Sequence, residues 1–188
     1  MIALWIIVGI IVILLLWIWG LYNGLVRARL GVKNAWAQID VQLKRRFDLI
    51  PNLIETVKGY RDFERGTLEA VTKARTSVQQ VPQGNTADRI KAEGELGAAL
   101  SRLMVVVEQY PDLKAGQNFI ALQGQLASTE NAISEYRQAY NNSVQTYNIK
   151  TQGFPSNIVA GMFNFKKEEP FLQSTEGEAE TKAPKVSF

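Results

Sequence analysis

The side chains able to do chemistry in this 188-residue chain are carboxylates, guanidiniums, amines and hydroxyls, because histidine and cysteine are both absent. The commonest general base and the commonest neutral metal ligand are therefore missing. So are thiolate nucleophiles, thiolate metal sites and disulfides. The remaining carboxylates are poorly spaced for shared work. Glu93 and Glu95 lie two residues apart, as do Asp62 and Glu64, and on a helix such pairs point to different faces. Asp40, Asp48 and Glu55 are spread along one segment among basic or apolar neighbours, and Asp40–Lys44 suits a solvated i,i+4 pair. The sequence has neither a Gly-Lys-Ser/Thr phosphate loop nor a Gly-x-Ser-x-Gly elbow. A carboxylate-bridged metal in a helix bundle needs Glu-x-x-His, which the composition forbids. No catalytic, cofactor-binding or metal-binding residue is assigned, no cofactor is expected, and the chain is not expected to be an enzyme.

Arg45-Arg46, flanked by Gln42 and Asp48, is the least expected feature, because Arg46 falls on an otherwise apolar helical seam. Either its stem packs while its head reaches water, or it pairs with a carboxylate of another helix and fixes the register.

These residues follow an anchor. Residues 1–26 carry no charged side chain, and Ile2 to Tyr22 is almost wholly Ile, Val, Leu and Trp. A helix of about 20 such residues rises roughly 30 Å, enough to cross a bilayer's hydrocarbon core. Trp5 near one end, and Trp17, Trp19 and Tyr22 near the other, suit the headgroup zones. A signal peptide fits less well: the apolar run is too long, no basic residue precedes it and no small-residue cleavage site follows. Arg27, Arg29 and Lys33 come directly after the run. The positive-inside rule then places residues 30–188 in the cytoplasm and the N-terminus outside. With Lys44, Arg45 and Arg46 against only Asp40, the basic collar extends through residues 27–46, and from residue 47 to 165 the charges nearly cancel, which argues against a nucleic-acid-binding face.

The rest reads as helices. Trp36, Leu43, Ile50 and Val57 recur every seven residues, and Val32, Ile39, Leu53 and Tyr60 fill the intervening positions, with Phe47 replacing Arg46 where the seam drifts. Pro51 sits inside this pattern and predicts a kink rather than a hairpin, with the helix continuing through Leu68, Val71 and Val78. Gln80–Thr86 is a turn, with Thr86 as N-cap of a helix bearing Ile90, Gly97, Leu100, Met104 and Val107. Gly94, Gly97 and Ala98 are either tolerated small residues or a close-approach site. Tyr110-Pro111-Asp112 breaks the chain again. A long helix from about Leu113 to Thr151 carries Phe119, Leu126, Ile133, Tyr140 and Tyr147 in one row, and Leu122, Thr129, Tyr136 and Ser143 in another. Gly153-Phe154-Pro155 introduces a short apolar helix, read as a lid over the bundle end in preference to an interfacial or oligomer-forming segment because it lacks a cationic face. The fold class is thus all-α: an anchor (1–26), an antiparallel up-and-down bundle of about four long helices (27–165) and a disordered charged tail (166–188).

Three stretches carry a resemblance. They are Leu21-Tyr22-Asn23-Gly24-Leu25-Val26, the run from Ala35 to Leu53 (AWAQIDVQLKRRFDLIPNL), and Tyr147-Asn148 followed by Phe154-Pro155-Ser156-Asn157-Ile158-Val159-Ala160-Gly161-Met162-Phe163. The sequence resembles the LemA family over nearly its whole length, with the tail after Phe171 outside the pattern. The resemblance implies a bacterial membrane protein with an N-terminal span and a bundle of about four helices. It implies no catalytic activity, and it attaches no catalytic role to Asp40, Arg45, Arg46, Asp48 or Pro51.

The expected function is a membrane-anchored, non-enzymatic scaffold in the bacterial inner membrane. Its expected partners are membrane lipid, further copies of itself and a protein partner, and not nucleic acid. The alternative is a regulatory adaptor for a membrane-bound protease or signalling enzyme, using the charged tail and a hinge at Pro51.

Overall fold

A computed structural model describes residues 1–60, 64–82 and 84–171. The Asp62–Glu64 spacing and the expected tail beyond Phe171 lie outside those residues in whole or in part. The architecture is all-helical among the described residues: α1 (Ile2–Lys58), α2 (Arg65–Gln80), α3 (Thr86–Val107), α4 (Pro111–Lys114), α5 (Gln117–Gln152) and α6 (Ser156–Met162). Four are long and two are short. The chain divides into two compact units. One comprises Met1–Ile39 with Glu135–Pro170, and the other Asp40–Ser134 with Phe171.

The anchor helix and the first bundle helix are one element. α1 runs 57 residues with Pro51 inside it, so Pro51 does not end the helix. The helix ends instead at Lys58, where Gly59 and Tyr60 form a turn and a bend, and the pattern does not continue unbroken to Val78. Gly is a poor helix residue because it has the most backbone freedom to lose.

In the unit containing Asp40–Ser134, the core gathers Ile50, Leu53 and Val57 of α1, Val71 and Val78 of α2, Leu96, Leu103 and Val107 of α3, and Phe119 and Leu126 of α5. α2 and α3 pack along each other and are joined by a short turn, making a helical hairpin. Gly84 in that turn has φ +90, a backbone conformation that Gly alone takes without steric cost. The N-cap of α3 is Asn85, one residue earlier than expected. Its side chain accepts from the Asp88 N–H and donates to the Asp88 carboxylate. The buried row of α3 is Glu93, Leu96, Leu100, Leu103 and Val107, a 3–4 spacing that leaves Ile90, Gly97 and Met104 to its flanks.

In the unit containing the anchor, Leu25 of α1 is buried against Val159 and Ala160 of α6, with Ile18, Leu21, Tyr22 and Phe165 around them. The short helix therefore packs on α1 just after its most apolar stretch. α6 closes in a Schellman motif: Phe165 N–H reaches the Ala160 carbonyl at 2.9 Å, and Asn164, at φ 55, takes the left-handed position. This turn sends Phe165 back to Tyr22, with ring centroids 5.7 Å apart, while Phe163 lies 4.8 Å from the same ring.

Composition alone places Lys166 onward in a disordered tail. The first residues of that stretch are instead strapped along α5. Tyr147 donates to the Lys166 carbonyl at 2.8 Å, and Tyr140 to the Glu169 carbonyl at 3.2 Å. Asn148 both donates to and accepts from the Glu168 backbone. The aromatic row of α5 thus has two jobs: its rings fill the core, and its hydroxyls hold the strap.

Candidate functional site

The candidate site is the ion network around Arg46. In α1 the residues Ile39, Leu43, Arg46, Ile50, Leu53 and Val57 are all buried, an unbroken 3–4 seam. The seam does not drift to Phe47. Arg46 occupies the core position itself and is only 2 % exposed. Phe47 sits beside it, half-buried, with the Arg75 guanidinium 4.0 Å from its ring centroid, close enough for a cation–π contact.

A guanidinium removed from water needs partners for its charge and its N–H groups. Arg46 has two carboxylates. Nη2 donates to Glu93 Oε2 at 2.7 Å and also to the Glu93 backbone carbonyl at 3.2 Å, and Nη1 donates to Glu130 Oε2 at 2.7 Å. Three helices, α1, α3 and α5, are thereby tied by one side chain. Glu93 is fully buried, whereas Glu130 is 50 % exposed. The second oxygen of Glu93 lies 3.0 Å from Arg89 Nε, an ion pair whose N–H is not aimed well enough for a hydrogen bond. Arg89 also lies 3.9 Å from Asp40. The network therefore runs from a dry centre, Arg46 and Glu93, to wet ends at Glu130 and Asp40.

Of the two readings of Arg46, the ion pair with another helix is the one found, and the snorkelling reading is corrected. Asp40 reaches toward Arg89 of α3. Arg45 and Asp48 are exposed, and Glu95 is exposed on a different face from Glu93. The sequence reading did not identify Glu93 and Glu130 as the partners. The signal for Glu93 was available, since it lies at the 3–4 spacing of the α3 seam. Glu130 likewise lies four after Leu126 and three before Ile133, but Thr129 competes for the same place in the row and is the buried one. A Cβ on Gly97 would meet Arg46 Nη1 at 3.8 Å, an ordinary contact, so Gly97 is no close-approach site.

Beside the network is a cleft of about 330 Å³, walled by Leu100, Met104 and Leu126, with Arg46 and Glu130 at its polar end. The arrangement offers fixed opposite charges and an apolar wall. The carboxylates of Glu93 and Glu130 both engage Arg46. Among the described residues no group of three or more carboxylates is placed to hold a metal ion. The arrangement locks α1, α3 and α5 together electrostatically.

The second functional element is the exposed part of α1. It is long and apolar enough to cross a membrane, and its most apolar window has no buried share. From Ile2 to Trp17 every large apolar side chain faces outward.

The LemA family profile matches residues 35–188, most of the chain. The chain belongs to the LemA family. Together with the exposed apolar helix, this makes it a membrane-associated LemA protein. The match extends through the C-terminal residues, so the stretch after Phe171 is not outside the family pattern, whereas Leu21–Val26 precedes the matched region. A protein named LemA from Metamycoplasma hominis is 27 % identical over 141 residues, covering 75 % of this chain and 64 % of the relative. A magnetosome protein MamQ of Paramagnetospirillum magneticum is 25 % identical, covering 88 % of this chain and 70 % of the relative. One from Magnetospirillum gryphiswaldense is 24 % identical with the same coverage.

Proposed function

We propose that this LemA protein is a non-enzymatic, membrane-anchored scaffold that self-associates or holds protein partners at the membrane surface. The observation that carries the reading is the continuity of α1. The helix whose first turns are bare and apolar is the same helix that supplies Leu25, Ile39, Leu43, Arg46 and Ile50 to the packed protein, with no linker between. Burying a titratable pair inside the bundle supports the same reading. Arg46 and Glu93 are engaged with each other and serve packing register, the best-attested use of such pairs. The basic collar of Arg27, Arg29 and Lys33 suits anionic headgroups, each charge contributing about 1 kcal/mol near the surface.

In this proposal the protein sits in the bacterial inner membrane with the bundle in the cytoplasm. Proteases added to sealed right-side-out vesicles then leave residues 30–188 intact, and digestion from outside reverses the orientation. The scaffold reading is tested by crosslinking in native membranes followed by size analysis of the solubilised complex. Homo-oligomers or a defined partner are expected. A strictly monomeric, partner-free protein refutes it. The adaptor reading gains no support from Pro51, which lies within an unbroken helix.

A further inference from the structure

We propose that α6 is a second membrane-contacting element, lying at the boundary between headgroups and acyl chains beside the point where α1 leaves the bilayer. The proposal rests on α1 spanning the membrane but not on self-association or partner binding.

The first argument is position. Arg27 is the first charged side chain after the apolar run. At the helical rise per residue, Ile18 lies about 14 Å before it and Leu25 about 3 Å before it along the axis. α6 and its exit residue Phe165 pack on this stretch: Val159 and Ala160 against Leu25, with Ile18, Leu21 and Tyr22 around them. A helix clasped to those residues is held at the level of the headgroups by the anchor itself.

The second argument is the face left over. With Val159 and Ala160 turned to α1, the outward side carries Phe154 (84 % exposed), Ile158, Met162 (69 % exposed) and Phe163. Ile158 and Met162 are spaced by four on α6, the spacing of one helical face, and exposed Phe154 lies in the turn just before the helix. Such a cluster facing water is unusual in a soluble segment, but it suits a segment lying in the interface plane.

The third argument is charge. Judged alone, α6 lacks the cationic side that interfacial helices carry. The fold brings cations to it from elsewhere. The Arg29 guanidinium lies 6.0 Å from the Phe165 ring centroid, and Lys166 and Lys167 come next after Phe165, exposed, ahead of Glu168 and Glu169. Phosphate headgroups and buried acyl chains are the occupant that answers both the apolar row and these flanking cations.

The lack of cysteine makes the test clean. Single variants Met162→Cys, Ile158→Cys, Leu15→Cys and Val105→Cys of the full chain are spin-labelled and reconstituted in phosphatidylcholine–phosphatidylglycerol vesicles. Collision rates with oxygen and with a water-soluble nickel chelate are then measured. The Met162 and Ile158 labels are expected to be oxygen-biased and protected from the chelate about tenfold relative to Val105, as for side chains about 5–10 Å into the boundary. Using two positions prevents one disturbing label from deciding the result. If both are as chelate-accessible as Val105 while Leu15 is protected, the α6 proposal fails and anchoring stands. If Leu15 is also accessible, anchoring itself fails and takes the proposal with it. If protection is accompanied by label–label broadening and both vanish on dilution with unlabelled protein, a second copy covers the face and the lipid assignment is overturned.

Discussion

Removing Glu93 should damage the bundle more than removing Glu130, although both sit 2.7 Å from Arg46. Glu93→Leu keeps the side-chain bulk but leaves the 2 %-exposed guanidinium with one carboxylate, itself half in water. Breaking a buried pair from one side costs about 3–5 kcal/mol, because the other charge stays behind in a poor medium. For a chain of this size that lowers the melting temperature by roughly 6–20 °C. Arg46→Met should cost a similar amount, since Glu93 is then left with only the poorly aimed Arg89. Glu130→Gln acts at the wet end and should cost at most about 1 kcal/mol. The decisive variant is the double one, Arg46→Met with Glu93→Leu. It removes both dry charges, while Glu130 and Arg89 can still reach solvent, so its stability should return to near the parent's or rise by about 1–4 kcal/mol. The assay is heat and urea unfolding of the full chain in detergent micelles, followed by circular dichroism. If the double variant loses the sum of the two single losses, or if Glu93→Leu alone loses less than about 1 kcal/mol, the account of a mutually dependent buried pair is wrong.

Three other outcomes follow from α5 and its strap. A Cβ at Gly153 would lie 2.7 Å from the Ile149 carbonyl oxygen, so Gly153→Ala should cost about 1–3 kcal/mol, while Gly124→Ala, with open space around it, should gain about 0.5–1 kcal/mol in thermal unfolding. Asn148→Ala removes both hydrogen bonds to Glu168, a loss of about 1–3 kcal/mol in total, and should appear as faster hydrogen exchange and proteolysis at residues 166–170. Burial raises the Tyr140 hydroxyl above its ordinary value, with Glu168 adding to the rise; burial and Glu168 also raise Tyr147, although Arg29 pulls it down. A raised phenol favours the protonated fold, so this stability is complete below the unfolded value near 10 and is lost as pH climbs through the folded values. Ultraviolet titration should show two late-ionising tyrosines that become ordinary in urea, and strap protection should fade only above about pH 10.

The anchor and the long helical rows were readable from residue spacing. A charge-free apolar run has few alternatives, and the seven-residue rows Trp36–Val57 and Phe119–Tyr147 survive because tertiary packing reinforces them. Pro51 was read as an interruption that does not end the helix, and it does not. Other features depended on contacts that spacing cannot show. Arg46 looked like a defect to be skirted by Phe47, because hydrophobicity cannot register that a charge is welcome where two carboxylates meet it. The break at Gly59 was hidden by apolar residues continuing on either side. The first residues after Phe165 looked like tail because their composition is polar, but backbone carbonyls held by Tyr140, Tyr147 and Asn148 need no apolar side chains. The placement of α6 could not follow from its own sequence, since the α1 residue it covers, Leu25, is far away in the chain.

The clasp between Leu25 and α6 also has a consequence for biosynthesis. The ribosome makes Val159 some 130 residues after Leu25, roughly 7 to 26 s later at ordinary elongation rates. Throughout that interval the Ile18–Leu25 flank of α1 has no α6 to cover it. A chain stalled or truncated before Ser156 would stay in that unfinished condition, with Leu25 and Tyr22 left without their cover.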